Sequence, residues 1–178
     1  MKIGGKWSLG GFALAVVLAA GGAMAHPGHH AEPAFSKSGP VLSYFSTPNR
    51  EHLEIKGDAA TTLAKVVVEL KAPSDVLVQF TSGLATVTPD GCPCSARVSL
   101  AIDDHDPVVI KRVNLGTMVT RIGDTYQPDR QSADGSYALQ LPAGRHEIAL
   151  IAQRIEGSSA LLYGFYPNLQ ALAFPSGK

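Results

Sequence analysis

Ala64-Lys65-Val66-Val67-Val68-Glu69-Leu70, Lys71-Ala72-Pro73-Ser74 and Asp75-Val76-Leu77-Val78-Gln79-Phe80-Thr81 together decide the fold. Two short runs, both rich in valine, are separated by a turn around Ala72-Pro73-Ser74. In an extended chain, successive side chains point to opposite faces. Val66, Val68 and Leu70 then share one face, and Val76, Val78 and Phe80 share another. Runs of this length and composition, bounded by turn residues, predict strands packed on one side. A helix opening in Asp58–Leu70 is the competing assignment, because Ala59-Ala60-Thr61-Thr62-Leu63-Ala64 permits one.

The same grammar continues in both directions. Val41–Phe45 and His52–Ile55 precede the pair, with Thr47-Pro48-Asn49 between them. After it, Arg97–Ile102 alternates cleanly, with Val98, Leu100 and Ile102 on one side. Asp103–Pro107 turns the chain and Val108–Val113 returns. Gly123–Gly135 is polar and reads as a long loop. Tyr137–Leu141, His146–Ala152, Ala160–Phe165 and Leu169–Phe174 complete the set. About ten strands with frequent turns predict an all-β, antiparallel β-sandwich or barrel rather than alternating β/α units. No internal repeat of 20 to 50 residues is present.

Tyr137–Ile151 resembles a hairpin of jelly-roll sandwiches. An alternating strand ends in Leu141-Pro142-Ala143-Gly144, and a polar residue with His146 opens the next strand. The resemblance implies a jelly-roll-like sandwich over residues 41–178 and implies no function.

The N-terminus speaks for the compartment. Lys2 and Lys6 precede an apolar run, Leu9–Ala20, and Ala23-Met24-Ala25 is a small-x-small cleavage site. Residues 1–25 therefore read as a cleaved signal peptide, which predicts a periplasmic or secreted protein. The run is too short to span a bilayer, which takes about 20 residues. No later stretch of 18 apolar residues follows, so no membrane span is expected after cleavage. Residues 26–40, rich in His, Gly, Pro, Ser and Ala, read as a flexible arm.

Cleavage after Ala25 leaves 153 residues, one domain of ordinary size with room for a core. It also leaves 13 basic and 15 acidic residues, a net charge of −2 with neutral histidines. That balance favours neither nucleic acid nor an anionic membrane surface. Trp7, the only tryptophan, lies in the signal, and Met118 is the only methionine outside it. A tryptophan-lined sugar platform and a methionine-rich copper carrier are both disfavoured.

Three of the six histidines fall in His26-Pro27-Gly28-His29-His30. A copper site needing a third-position histidine and two deprotonated backbone amides is ruled out: Gly28 is third, and Pro27 has no amide hydrogen. A histidine brace tolerates Pro27, because it uses the α-amine and ring of His26 plus another imidazole. Such nitrogens suit Cu(II), and zinc less specifically. The chain resembles brace-bearing secreted polysaccharide monooxygenases and periplasmic copper carriers in His26 and in the expected sandwich. The resemblance implies a metal site of His26 with His29 or His30, and leaves His52, His105 and His146 as further imidazoles. The ordinary reading is a solvated polar tail.

Cys92 and Cys94 flank Pro93. In an oxidising compartment they read as a local disulfide, with a thiol pair for metal or exchange, or links to another chain, as the alternatives. Asp103-Asp104-His105-Asp106 reads as a polar turn, since the ligand spacing of a calcium loop is missing. His146, Tyr163 and Tyr166 are candidate ligand contacts. Their ordinary roles are a hydrogen-bonded structural histidine and, with Phe165, aromatic cover for the core. Enzyme signatures such as Gly-x-Ser-x-Gly, a phosphate loop or His-Glu-x-x-His do not occur. The expectation is a non-catalytic binding or assembly module with a protein or small-molecule partner. The alternative is a periplasmic copper-binding protein.

Overall fold

A computed structural model describes residues 35–37, 41–46, 52–87, 90–117, 120–122, 125–127 and 129–176. Twelve strands and no helix are found among them. In chain order they are β1 (Phe35–Lys37), β2 (Leu42–Ser46), β3 (His52–Lys56), β4 (Thr61–Leu70), β5 (Ser74–Thr86) and β6 (Cys94–Ile102). There follow β7 (Val108–Leu115), β8 (Thr120–Ile122), β9 (Thr125–Gln127), β10 (Arg130–Leu141), β11 (Gly144–Glu156) and β12 (Leu161–Pro175).

Two antiparallel sheets pack face to face. One runs β1-β2-β12-β5-β10, with β3 also paired to β12, so β2 and β3 lie end to end along it. The other runs β4-β11-β6-β7. β8 and β9 form a separate two-stranded excursion. With β1 set aside and β2 and β3 counted as one interrupted edge, each sheet has four positions, filled by strands that cross repeatedly between sheets. Of the connections, β6–β7 is a hairpin within one sheet. This is the jelly-roll arrangement, a β-sandwich with two Greek keys.

The alternation read in the sequence places the core. Val66, Val68, Leu70, Val76, Val78, Phe80, Val98, Leu100 and Ile102 are all buried in one cluster. Ile148, Leu150 and Ala152 of β11 and Leu162, Leu169 and Ala171 of β12 complete it. At one side of the sandwich, the buried Ser43 hydroxyl of β2 donates to the Val67 carbonyl of β4 and ties the sheets together. On the opposite side Lys111 of β7 bridges to Asp134 of β10, 3.0 Å away.

Several expectations need correction. The turns at Ala72-Pro73-Ser74 and Pro142-Ala143 are corners between sheets, so the strands flanking each are not paired as hairpins. The polar stretch read as a loop through Gly135 contains β9 and the first half of β10, whose residues 130–135 pair with β5. Of these six, Ala133 alone is buried, so the segment lacks the apolar signal of a strand. Ala160–Phe165 and Leu169–Phe174 are one strand, β12, interrupted by a bulge at Tyr166-Pro167. A second bulge, opposite Leu150/Ile151, lets the adjacent Leu63 and Ala64 both face inward. The stretch 59–64 does not open a helix; β4 begins at Thr61. Phe35–Lys37, within the segment read as an arm, pairs with β2. The remainder of residues 1–40, including His26, His29 and His30, lies outside the described residues.

Candidate functional site

The outward-facing side chains of the larger sheet form a grid fixed by strand register. Leu42, Leu172, Leu77 and Ala138 make one cross-strand row. Tyr44, Gln170, Gln79 and Ser136 make the next, followed by Ser46, Asn168, Thr81 and Asp134. Beyond them stand His52, Phe165, Gly83 and Ser132, then Glu54, Tyr163, Ala85 and Arg130. The face is thus apolar at one end, polar in the middle and aromatic at the other.

The middle is a shallow depression of about 360 Å³ lined by Gln79, Thr81, Asp134, Ser136, Asn168 and Gln170, with Phe80 and Gly135 beneath. Its amides are held in place. Gln170 Nε2 donates to Gln79 Oε1 at 2.7 Å, and Asn168 Nδ2 donates to the Tyr44 hydroxyl at 2.8 Å. Gln79 therefore presents its NH₂ and Gln170 its carbonyl oxygen. Asp134 stays ionised: hydrogen bonds from Ser132 and Lys111, and the Lys111 charge, hold its carboxyl below the usual range. A Cβ on Gly135 would lie 2.9 Å from Phe80 Cζ, so a larger residue there would have to displace the buried Phe80 ring.

At the aromatic end His52 stacks on Tyr163 with ring centroids 3.8 Å apart, and Tyr163 meets Phe165 edge-on at 5.9 Å. The Arg130 guanidinium lies 4.9 Å from the Phe165 centroid, a cation–π geometry. Tyr166, at the bulge and in left-handed backbone (φ 49°), is 43% exposed, its centroid 6.3 Å from that of Phe165. The structure thus brings Tyr163 and Tyr166 together with Phe165, and adds His52 and Arg130. No local sequence pattern marks the polar rows: Gln79, Asn168 and Gln170 become neighbours only through β5–β12 pairing.

His146 lies elsewhere, buried at a sheet-to-sheet corner. Its Nδ1 is 2.8 Å from Asp103 Oδ2 and its Nε2 is 3.0 Å from the Pro142 carbonyl oxygen, so both ring nitrogens are engaged within the fold. Asp103 Oδ1 also accepts from the Glu147 amide at 2.8 Å. Asp103 occupies left-handed backbone (φ 51°), which aspartate tolerates better than most residues. Burial pushes its carboxyl up. The hydrogen bonds from His146 and Glu147, with the charges of His146 and His105, outweigh that and leave it below its usual value. A depressed carboxyl contributes stability above the unfolded-state pKa, and that contribution disappears as pH falls through the folded value. Melting temperature is expected to drop as pH falls below about 4. Asp103→Asn is expected to lower it at pH 7 and to converge with wild type in acid. Parallel wild-type and variant curves in differential scanning fluorimetry, from pH 7 to pH 2, would contradict this.

Cys92 and Cys94 form a disulfide, and both are buried. Beside them, Ser95 is hydrogen-bonded to Asn114 and Glu156, and Arg112 pairs with Glu156. His105 lies in the exposed β6–β7 turn. Among the described residues, no three His, Cys, Asp or Glu side chains converge as a metal site. The sequence-predicted ligands His26, His29 and His30 lie outside those residues.

No protein-family model matches the chain, and no curated protein matches it. Solved structures similar to it include the insecticidal delta-endotoxin Cry8Ea1 of Bacillus thuringiensis (TM-score 0.36, 4% identity, covering 70% of this chain and 20% of that one). Another is the VP2 subviral particle of infectious bursal disease virus (TM-score 0.35, 9% identity, 77% and 33% covered). A third is a family 35 carbohydrate binding module from an environmental isolate (TM-score 0.24, 14% identity, 76% and 98% covered). The chain spans a third or less of the toxin and capsid chains.

Proposed function

We propose that this protein is an exported, non-catalytic binding module that offers the outer face of its larger sheet to a small polar ligand. One observation carries the reading: half-buried amides, pinned by hydrogen bonds, floor a depression in the middle of an exposed sheet face. Fixed polar groups in a concavity are what orient a ligand. The non-catalytic part is supported by His146. Its second nitrogen rests on a backbone carbonyl, where a triad would place a nucleophile. Export is supported by the Ala23-Met24-Ala25 site.

The test is ligand-detected NMR of residues 26–178 against a library of sugars, amino acids, nucleosides and small carboxylic acids. Thr81→Arg, which fills the depression, serves as the comparison. Wild-type signals that vanish in Thr81→Arg support the proposal; signals indifferent to it, or none at all, overturn it.

A second reading, a periplasmic copper-binding protein, draws on the mature terminus His26-Pro27-Gly28-His29-His30. It requires one tight Cu(II) site that weakens when a residue is added ahead of His26. Weak, multi-site binding indifferent to that addition ends it.

A further inference from the structure

We infer that the ligand of this face is a neutral saccharide, an assignment that rests on the binding-module reading above. Three features select it. The first is the order of polarity. Protein interfaces place apolar residues at the centre and polar ones at the rim. This face is inverted: Gln79, Gln170, Asn168 and Thr81 occupy the centre, with Leu172 and Leu77 at one end and Phe165 and Tyr166 at the other. A second protein chain would have to desolvate the amides at its own core, at a cost of about 1–3 kcal/mol for each group left unpaired.

The second feature is charge. Asp134 is paired with Lys111, and Arg130 lies over the Phe165 ring, so the ions at the face already have partners. Nothing in the depression calls for an anion or a cation. The third is the hydrogen-bond pattern. Because Gln170 donates to Gln79, the pair displays a donor on β5 beside an acceptor on β12. Adjacent strands are about 4.8 Å apart. A sugar hydroxyl both donates and accepts, so ring hydroxyls can accept from Gln79 Nε2 and donate to Gln170 Oε1. The Asn168 carbonyl and the Thr81 and Ser136 hydroxyls extend the pattern. A sugar's other character, its C–H face, needs a ring to lie on, and Tyr166, two residues before Asn168 on β12 and 43% exposed, supplies one at the aromatic end of the face. The volume of about 360 Å³ is at the small end of ligand sites.

The experiment is backbone-amide NMR titration of residues 26–178 with four neutral probes: cellohexaose, xylohexaose, mannohexaose and chitohexaose. Amino acids and nucleosides form the comparison set. At least one hexaose is expected to shift β5 and β12 amides. Gln79→Ala is expected to weaken it about tenfold or more, as is Tyr166→Asn, which removes the ring while keeping a residue suited to left-handed backbone. Unchanged melting of both variants excludes misfolding as the cause. If amino acids or nucleosides shift these amides and no hexaose does, the saccharide assignment falls and the binding face stands. If no probe shifts them, both fall.

Discussion

Gly91→Ala is expected to cost about 2–5 kcal/mol, against a total stability of about 5–15 for a domain of this kind. Gly91 sits at φ 92°, and a Cβ there would lie 2.3 Å from both the Cα and the N of Ser159. Those are backbone atoms and cannot swing aside. They are also tethered, because the Gly91 carbonyl accepts from the Ser158 amide at 2.9 Å and the Ser159 amide at 3.0 Å. Relieving the clash means breaking both bonds. Gly57→Ala is the matched control. Gly57 is also left-handed, at φ 55°, but its Cβ would meet nothing within 4 Å. Its cost is expected to be about 1–2 kcal/mol, the conformational penalty alone. Urea unfolding of the two variants measures the difference, and equal midpoints would refute the close-approach argument.

Leu150→Ala is expected to cost about 3–5 kcal/mol, the range for a leucine truncated in a core that relaxes little. Leu150 lies on β11, which has strands paired on both sides, and it is 0% exposed between the sheets. Its neighbourhood is pinned by the bulge that turns both Leu63 and Ala64 inward. Collapse into the cavity would have to shift that bulge. Val109→Ala, at a 55% exposed position on the outer strand β7, should change stability by less than about 0.5 kcal/mol. A Leu150→Ala midpoint close to that of Val109→Ala would show that the core yields far more readily than close packing allows.

The sandwich was legible because most of its strands bury one face each. Val66, Val68 and Leu70, like Val98, Leu100 and Ile102, announce their strands by alternation, and all six are buried. Where that asymmetry fails, sequence reading fails with it. Arg130–Ser136 is an edge strand with Ala133 as its single buried residue, and its polar string looks like a loop. Gly135 reads as a turn residue, yet it lies in a strand, paired with Phe80, whose ring crowds the place of a Cβ. The turns at Pro73 and Pro142 look alike whether the chain doubles back in one sheet or crosses to the other. Tyr166-Pro167 looked like a break between strands and is a bulge within one.

The candidate site was less legible, for a plain reason. Tyr163 and Tyr166 stand out because aromatic residues are few. Gln79 and Gln170 are 91 residues apart and belong to ordinary-looking strands. Their partnership exists only in the register between β5 and β12, which no local pattern encodes. The Asp103–His146 contact, across 43 residues, is hidden in the same way.

The position of β12 has one more consequence. It lies between β5 and the β2–β3 edge, so the middle of the larger sheet follows every other described strand in synthesis. Until β12 inserts, β5 and the early strands present unpaired edges, and most native contacts are between residues far apart along the chain. Topologies of this kind fold in about milliseconds to seconds, much more slowly than helical bundles, because distant segments must meet before any pairing is rewarded. The nascent domain therefore spends that interval with open sheet edges, and its yield depends on how long neighbouring chains are kept from filling the gap.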